Sequence, residues 1–151
     1  MEWMLMPLKR YADFSGRSRR KEYWLFVLLL IIVNLIANFI DTATGMAGWL
    51  GPYGPLAALI GVATLIPSIA VGVRRLHDTN RSGWWMLIGV VPYALMIGLF
   101  LSGNLVLAGT MSLVTIVCAL GLLVLMLLEG TKGPNNYGPD PKGSNPAEVF
   151  S

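Results

Sequence analysis

The stretch Arg74-Arg75-Leu76-His77-Asp78-Thr79-Asn80-Arg81-Ser82-Gly83-Trp84-Trp85 decides how this chain folds, because it is the one charged interruption in the middle of an apolar sequence. An apolar run lies on either side of it, Pro55 to Val73 before and Trp84 to Leu101 after. Two more runs, Tyr23 to Ile40 and Val106 to Leu128, complete a set of four. Each is close to the ~20 residues that a helix needs to cross a ~30 Å hydrocarbon layer. None contains Lys, Arg, Asp or Glu. Backbone in lipid must satisfy its own hydrogen bonds, so each run is predicted to be a helix. Composition agrees: of 151 residues 55% are hydrophobic and 13% charged, against about 25% charged in an ordinary soluble domain, and mean hydropathy is +0.65. The expected fold is all-α, a four-helix transmembrane bundle that forms a single integral membrane domain over residues 1–151, with 129–151 as a polar loop and tail.

Charge sets the expected orientation. Four crossings put both termini and the 74–83 hinge on one side, and that side then holds all 11 Lys and Arg. The two opposite loops hold none, so the positive-inside rule makes both termini cytoplasmic. Of the 8 acids, Asp41 alone faces the other way. Arg17, Arg19, Arg20 and Lys21 before the first run also resemble the start of a secretory signal peptide. That reading fails because the run is too long and no small-residue cleavage site follows it at Asn38-Phe39-Ile40-Asp41.

Taken in order, Met1 to Gly16 mixes Trp3, Met4, Leu5 and Met6 with Lys9, Arg10 and Tyr11, which suits a segment lying in the headgroup region. Pro7 argues against one uninterrupted helix there. Asn34 and Asn38 are four apart on one helical face, and an amide in hydrocarbon needs a partner, so that face is expected to turn toward another helix. Asp41 to Gly54 is a turn-rich loop with Trp49 and Tyr53 as interfacial anchors. Pro67 and Pro92 predict kinks in the second and third spans. Ala57/Gly61, Ser68/Gly72 and the series Ala94, Gly98, Ser102 offer close helix approach. Ser102-Gly103-Asn104 is short enough to force an antiparallel hairpin. Gly and Pro density after Leu128 predicts a loop with Tyr137 as a surface anchor, then a loose tail beyond Gly143.

The cytoplasmic charges are expected to be coupled. Arg74 and Arg75 at the end of the second span suit the helix dipole, whereas Arg19, Arg20 and Lys21 at the start of the first span and Glu129 at the end of the fourth oppose it. Glu22 and Glu129 are therefore available to pair with arginines, and Asp78, Asn80 and Ser82 to supply caps and turns, Ser82 as N-cap of the third span. Three readings compete for this cluster: a purely topogenic and structural one, binding of an anionic lipid headgroup or phosphorylated ligand, and catalysis by His77 with Asp78 or Glu129. Catalysis ranks last, because no nucleophile stands beside a base. One His, with one Cys that sits at Cys118 inside an apolar run, also leaves no metal-ligand set. No catalytic residue, metal, cofactor or nucleic-acid partner is expected.

Three stretches carry a resemblance: Tyr11-Ala12-Asp13-Phe14-Ser15-Gly16-Arg17-Ser18-Arg19-Arg20-Lys21-Glu22-Tyr23-Trp24, the hinge Arg74 to Trp85, and Gly133-Pro134-Asn135-Asn136-Tyr137-Gly138-Pro139-Asp140-Pro141. In order and spacing, from about Tyr11 to Lys142, they resemble the bacterial inner-membrane family known as domain of unknown function 805, the YhaH-like proteins. The resemblance implies a four-span protein of the bacterial cytoplasmic membrane and implies no activity, substrate or site residue. The expected function is a non-enzymatic membrane module that engages anionic phospholipid or a partner protein, a second copy of the chain included, through Arg19, Arg20, Arg74, Arg75, His77 and Arg81. The alternative is a subunit of a small oligomeric transporter or channel that uses Asn34 and Asn38 with the Pro67 and Pro92 kinks.

Overall fold

The computed structural model describes residues 2–48 and 53–143; Trp49 and the tail after Gly143 lie outside the described residues. The chain is helical: α1 Glu2–Lys9, α2 Arg20–Ala43, α3 Pro55–Asp78, α4 Leu87–Leu101 and α5 Leu105–Leu127, with a 3₁₀ turn over Gly83–Met86 leading into α4. Four helices, α2, α3, α4 with its 3₁₀ turn, and α5, are long and apolar enough to cross a membrane. Their outward side chains are apolar too: Val62 is 73% exposed, Leu101 78%, Val106 79% and Val117 69%. Such a surface is stable in lipid and would be an aggregation surface in water.

Three boundaries differ from the sequence-based expectation, and in each case the backbone follows hydrogen bonding while hydropathy follows lipid contact. Helix α2 begins at Arg20, three residues before the apolar run, because charged residues accept helical geometry as readily as apolar ones. Helix α3 continues through Arg74, Arg75, Leu76, His77 and Asp78, which are its last turns, so the polar connection shrinks to Thr79–Ser82. Helix α1 forms in spite of Pro7, which lies inside it and is fully buried. Pro7 removes one backbone bond, and burial of its ring offsets that loss.

Contacts divide the chain into two units, Met1–Phe14 with Lys21–Val71, and Ser15–Arg20 with Gly72–Ser151. In the first, Phe26, Ala37, Ala57, Ala70 and Val71 are buried. Asp41 near the end of α2 caps the start of α3: its carboxylate accepts from the Leu56 amide at 3.2 Å and the Ala57 amide at 3.0 Å. An acid at an α2 C-terminus is misplaced for that helix, yet at the α3 N-terminus it meets orphan donors and the positive dipole end. Gly54 lets the carboxylate lie against the backbone, since a Cβ there would overlap it.

The Asn34 and Asn38 face is half-buried, and Asn34 shares its grooves with α3 residues such as Ala57, Gly61 and Ser68, but the amide donors close on α2 itself. Asn34 Nδ2 donates to the Leu30 carbonyl at 2.9 Å and Asn38 Nδ2 to the Asn34 carbonyl at 2.8 Å, both one turn back in α2. An amide in lipid needs a partner, and the nearest acceptor is its own helix.

In the second unit α4 and α5 form an antiparallel hairpin through Ser102–Asn104, closed by the Asn104 amide on the Leu99 carbonyl at 3.0 Å. Close packing occurs where Gly72 meets the Met86 side chain and Gly89 meets Leu122, whereas Gly61 and Gly98 face open space. Spacing identifies residues small enough for close approach, but only the packing decides which are used.

Candidate functional site

The densest polar assembly belongs to the second unit and is built from three distant pieces of sequence. These are Ser15–Arg20, the last turn of α3 with its exit, and the polar segment after α5.

Helix α3 has to end here. Asn80 takes a left-handed conformation, φ 58°, which Asn tolerates better than most residues. The Arg81 amide then reaches back to the Leu76 carbonyl at 3.0 Å and the Asn80 amide to the His77 carbonyl at 2.9 Å, which is the Schellman closure of a helix C-terminus. Thr79 Oγ1 donates to the Leu76 carbonyl at 2.9 Å. After the turn, the Ser82 hydroxyl accepts from the Trp84 amide at 3.4 Å at the head of the 3₁₀ turn.

Asp78, the last residue of α3, stands at the negative end of the dipole and is buried. Two guanidinium groups hold it. Arg75, one turn earlier, donates Nη1 to Oδ2 at 2.5 Å, and Arg17 donates Nε to Oδ1 at 3.0 Å; the two arginine side chains are 0% and 1% exposed. Their remaining donors go to carbonyls. Arg17 bonds the Gly133 oxygen at 2.6 Å and the Thr131 oxygen at 2.5 Å. Arg75 bonds the Met126 oxygen at 3.1 Å and the Leu128 oxygen. The last carbonyls of a helix have no intrahelical donor, so Arg75 closes the end of α5 from outside. Gly130 passes so close to the Asp78 carboxylate that a Cβ there would overlap it.

The segment after α5 is tied down as well. The Thr131 amide donates to the Asp78 carbonyl at 2.8 Å, and Asn135 Nδ2 to the His77 carbonyl at 2.8 Å. Tyr137, expected as a surface anchor, instead stacks on His77, ring centroids 3.9 Å apart and planes 6° apart. His77 Nδ1 lies 3.2 Å from the Gly16 carbonyl. A carbonyl only accepts, so Nδ1 carries the proton. The Ser18 amide donates to the Arg74 carbonyl at 3.0 Å. Arg74 is 0% exposed.

The sequence-selected residues therefore separate. Arg74, Arg75 and Asp78 are buried in the fold, and Glu22 is buried in the first unit. Arg20 donates to the Leu128 carbonyl at 3.0 Å and pairs loosely with Glu129 at 3.6 Å, with both side chains open, 42% and 70% exposed. Arg19, His77 and Arg81 are half-buried, and the indoles of Trp84 and Trp85 are exposed, 77% and 45%. Arg17 is the residue that sequence reasoning missed. Local sequence marks it only as one cation in a basic run, and its partners lie more than 60 residues away.

This assembly can neutralise, cap and stack. It brings together no nucleophile and base, and among the described residues no group of His, Cys, Asp and Glu is placed to hold a metal.

Residues 11–139 match the family described as protein of unknown function (DUF805). Inner membrane protein YhaI of Escherichia coli (strain K12) is 44% identical over 96% of this chain and its own full length. Inner membrane protein YhaH of the same strain is 37% identical over 94% of this chain and 98% of its own. Uncharacterized protein YiiR of that strain is 32% identical over 85% of each. No solved structure matches. Ser15–Arg20, the end of α3 with its exit, and residues 128–138, which meet around Asp78, lie within the family region, and the chain belongs to the DUF805 family of membrane proteins.

Proposed function

We propose that this chain is a non-enzymatic module of the bacterial cytoplasmic membrane, with both termini cytoplasmic, that engages anionic phospholipid headgroups through Arg19, Arg20 and Arg81, flanked by Trp84 and Trp85. The observation that carries the reading is the division among the arginines. Arg17 and Arg75 spend their donors on Asp78 and on backbone carbonyls, with both side chains buried. A headgroup could reach Arg74 or Arg75 only by opening the fold, so their part is structural. Arg20 keeps an open side chain against a weak carboxylate partner, and Lys132, three residues after that partner Glu129, is exposed. Cations beside exposed indoles are the composition of a membrane interface, and each basic residue near an anionic leaflet contributes about 1 kcal/mol of attraction.

Native mass spectrometry of the protein in mild detergent tests this. Wild type should retain phosphatidylglycerol or cardiolipin, and a triple Arg19→Gln, Arg20→Gln, Arg81→Gln variant should lose most of it while remaining folded. Equal retention by the variant removes lipid binding from these residues, and exchange of lipid for a protein in both would turn the reading toward a partner.

The transporter or channel alternative has one observation in its favour. Asn34 borders two open grooves in the first unit, of about 290 and 360 Å³. Both are otherwise lined by apolar or small side chains apart from Tyr23, Tyr53 and Ser68. The same mass spectrum reads subunit number, and a monomer would count against this alternative.

A further inference from the structure

Pro67 lies inside α3 and has no amide hydrogen. In the helical ladder residue 67 would donate to the carbonyl of residue 63, so Pro67 deprives Ala63 of its backbone partner. The Tyr11 hydroxyl donates to that same carbonyl at 2.6 Å. A hydroxyl 52 residues away in sequence, in the same unit, thus fills the vacancy that the proline opens. One turn on, the Ser68 hydroxyl donates to the Thr64 carbonyl at 2.6 Å, so the disturbed part of the ladder is supported on both acceptors.

The depth of this bond gives it weight. Ala63 is roughly 12 Å along α3 from Pro55 and roughly 22 Å from Asp78, at 1.5 Å rise per residue. The bond is exposed within its unit, on a helix long and apolar enough to cross a membrane. No water is available there to replace the tyrosine, so a bare carbonyl would remain unsatisfied. Arg10 and Asp13, on either side of Tyr11, point the same way. Arg10 Nε and Nη2 both donate to Asp13 Oδ2, at 2.9 and 2.7 Å. Local neutralisation of this kind lets a charged segment sit below the headgroups. This departs from the expectation that the N-terminal segment lies in the headgroup layer.

We infer that Arg10–Asp13 is a membrane-embedded strap, fastened by the Tyr11 hydroxyl onto the Ala63 carbonyl that Pro67 leaves without a donor. The strap turns the proline from a free hinge into a fixed point. Its release would be the route by which α3 gains freedom to bend.

A double-mutant cycle tests the fastening. In a Cys118→Ala background with Ala12→Cys as reporter, maleimide labelling in vesicles should be about tenfold faster in Tyr11→Phe, the scale of one orphaned carbonyl. Pro67→Ala restores the backbone donor to Ala63, so adding Tyr11→Phe to it should change the rate less than twofold. Pro92→Ala, which restores a different ladder, should leave the full effect of Tyr11→Phe. A Tyr11→Phe effect of equal size in the Pro67→Ala background would overturn the pairing. Depth is read in the same Cys118→Ala, Ala12→Cys chain with Tyr11 and Pro67 intact: a nitroxide at residue 12 should be more accessible to oxygen than to a water-soluble nickel complex. The reverse preference would overturn the embedding.

Discussion

Helix α3 meets a buried carboxylate at each of its ends, and the two are held by opposite means. At its start Asp41, 2% exposed, accepts from two backbone amides. At its finish Asp78, 4% exposed, takes two guanidinium groups. The helix dipole accounts for the difference. A carboxylate at an N-terminus is stabilised by the unpaired amides it finds there, whereas one at a C-terminus is repelled by the dipole and is offset by a full positive charge beside it. One carboxylate is thus served by the helix it caps and the other by side chains brought from elsewhere. Burial alone says nothing about which residues a charge depends on.

The comparison predicts a graded response in thermal unfolding in detergent. Arg17→Ala should cost most, about 3–5 kcal/mol, because it breaks a buried pair and orphans the Thr131 and Gly133 carbonyls together. Arg17→Lys should recover little, since an ammonium cannot reproduce the fork. If Arg17→Ala were as stable as wild type, the assembly around Asp78 would not hold the fold.

Asp41→Asn should cost less, about 1–2 kcal/mol, because the amide oxygen still accepts from Leu56 or Ala57, while the other amide bond and the charge–dipole part are lost. The matching Asp78→Asn should exceed it by at least about 2 kcal/mol, for it leaves two buried guanidinium groups facing a neutral amide. Equal losses at the two positions would break the contrast between amide and guanidinium support.

The smallest effect belongs to Glu129→Gln. Its pair with Arg20 is open to solvent, so stability should change by less than about 1 kcal/mol. The same substitution frees Arg20 and should raise retention of anionic lipid if the proposed headgroup contact is right. A large loss of stability would show that the pair is part of the fold.

Much of the architecture is legible without coordinates. Four apolar runs correspond to four long helices, and the short Ser102–Asn104 link does give a hairpin. Both are local properties, set by a window of about one helix or one turn. The candidate site was legible only as a concentration of charge. Arg74 and Arg75 look like Arg19 and Arg20 in the sequence, yet the first two are buried and Arg20 is open. Arg17 is indistinguishable from its basic neighbours until Thr131 and Gly133 are brought beside it.

The sequence by itself determined that four long apolar helices form, that the charge gathers outside the apolar runs, and the family. Hydropathy and charge are summed along the chain and need no fold to be read. Only the tertiary structure decided which cation faces which acceptor, why Asp41 sits where it does, that the Asn34 and Asn38 amides close on their own helix, and that Tyr11 completes the ladder at Pro67. A hydrogen bond exists only within about 3 Å of its acceptor, and distances across 50 or more residues of chain are set by packing.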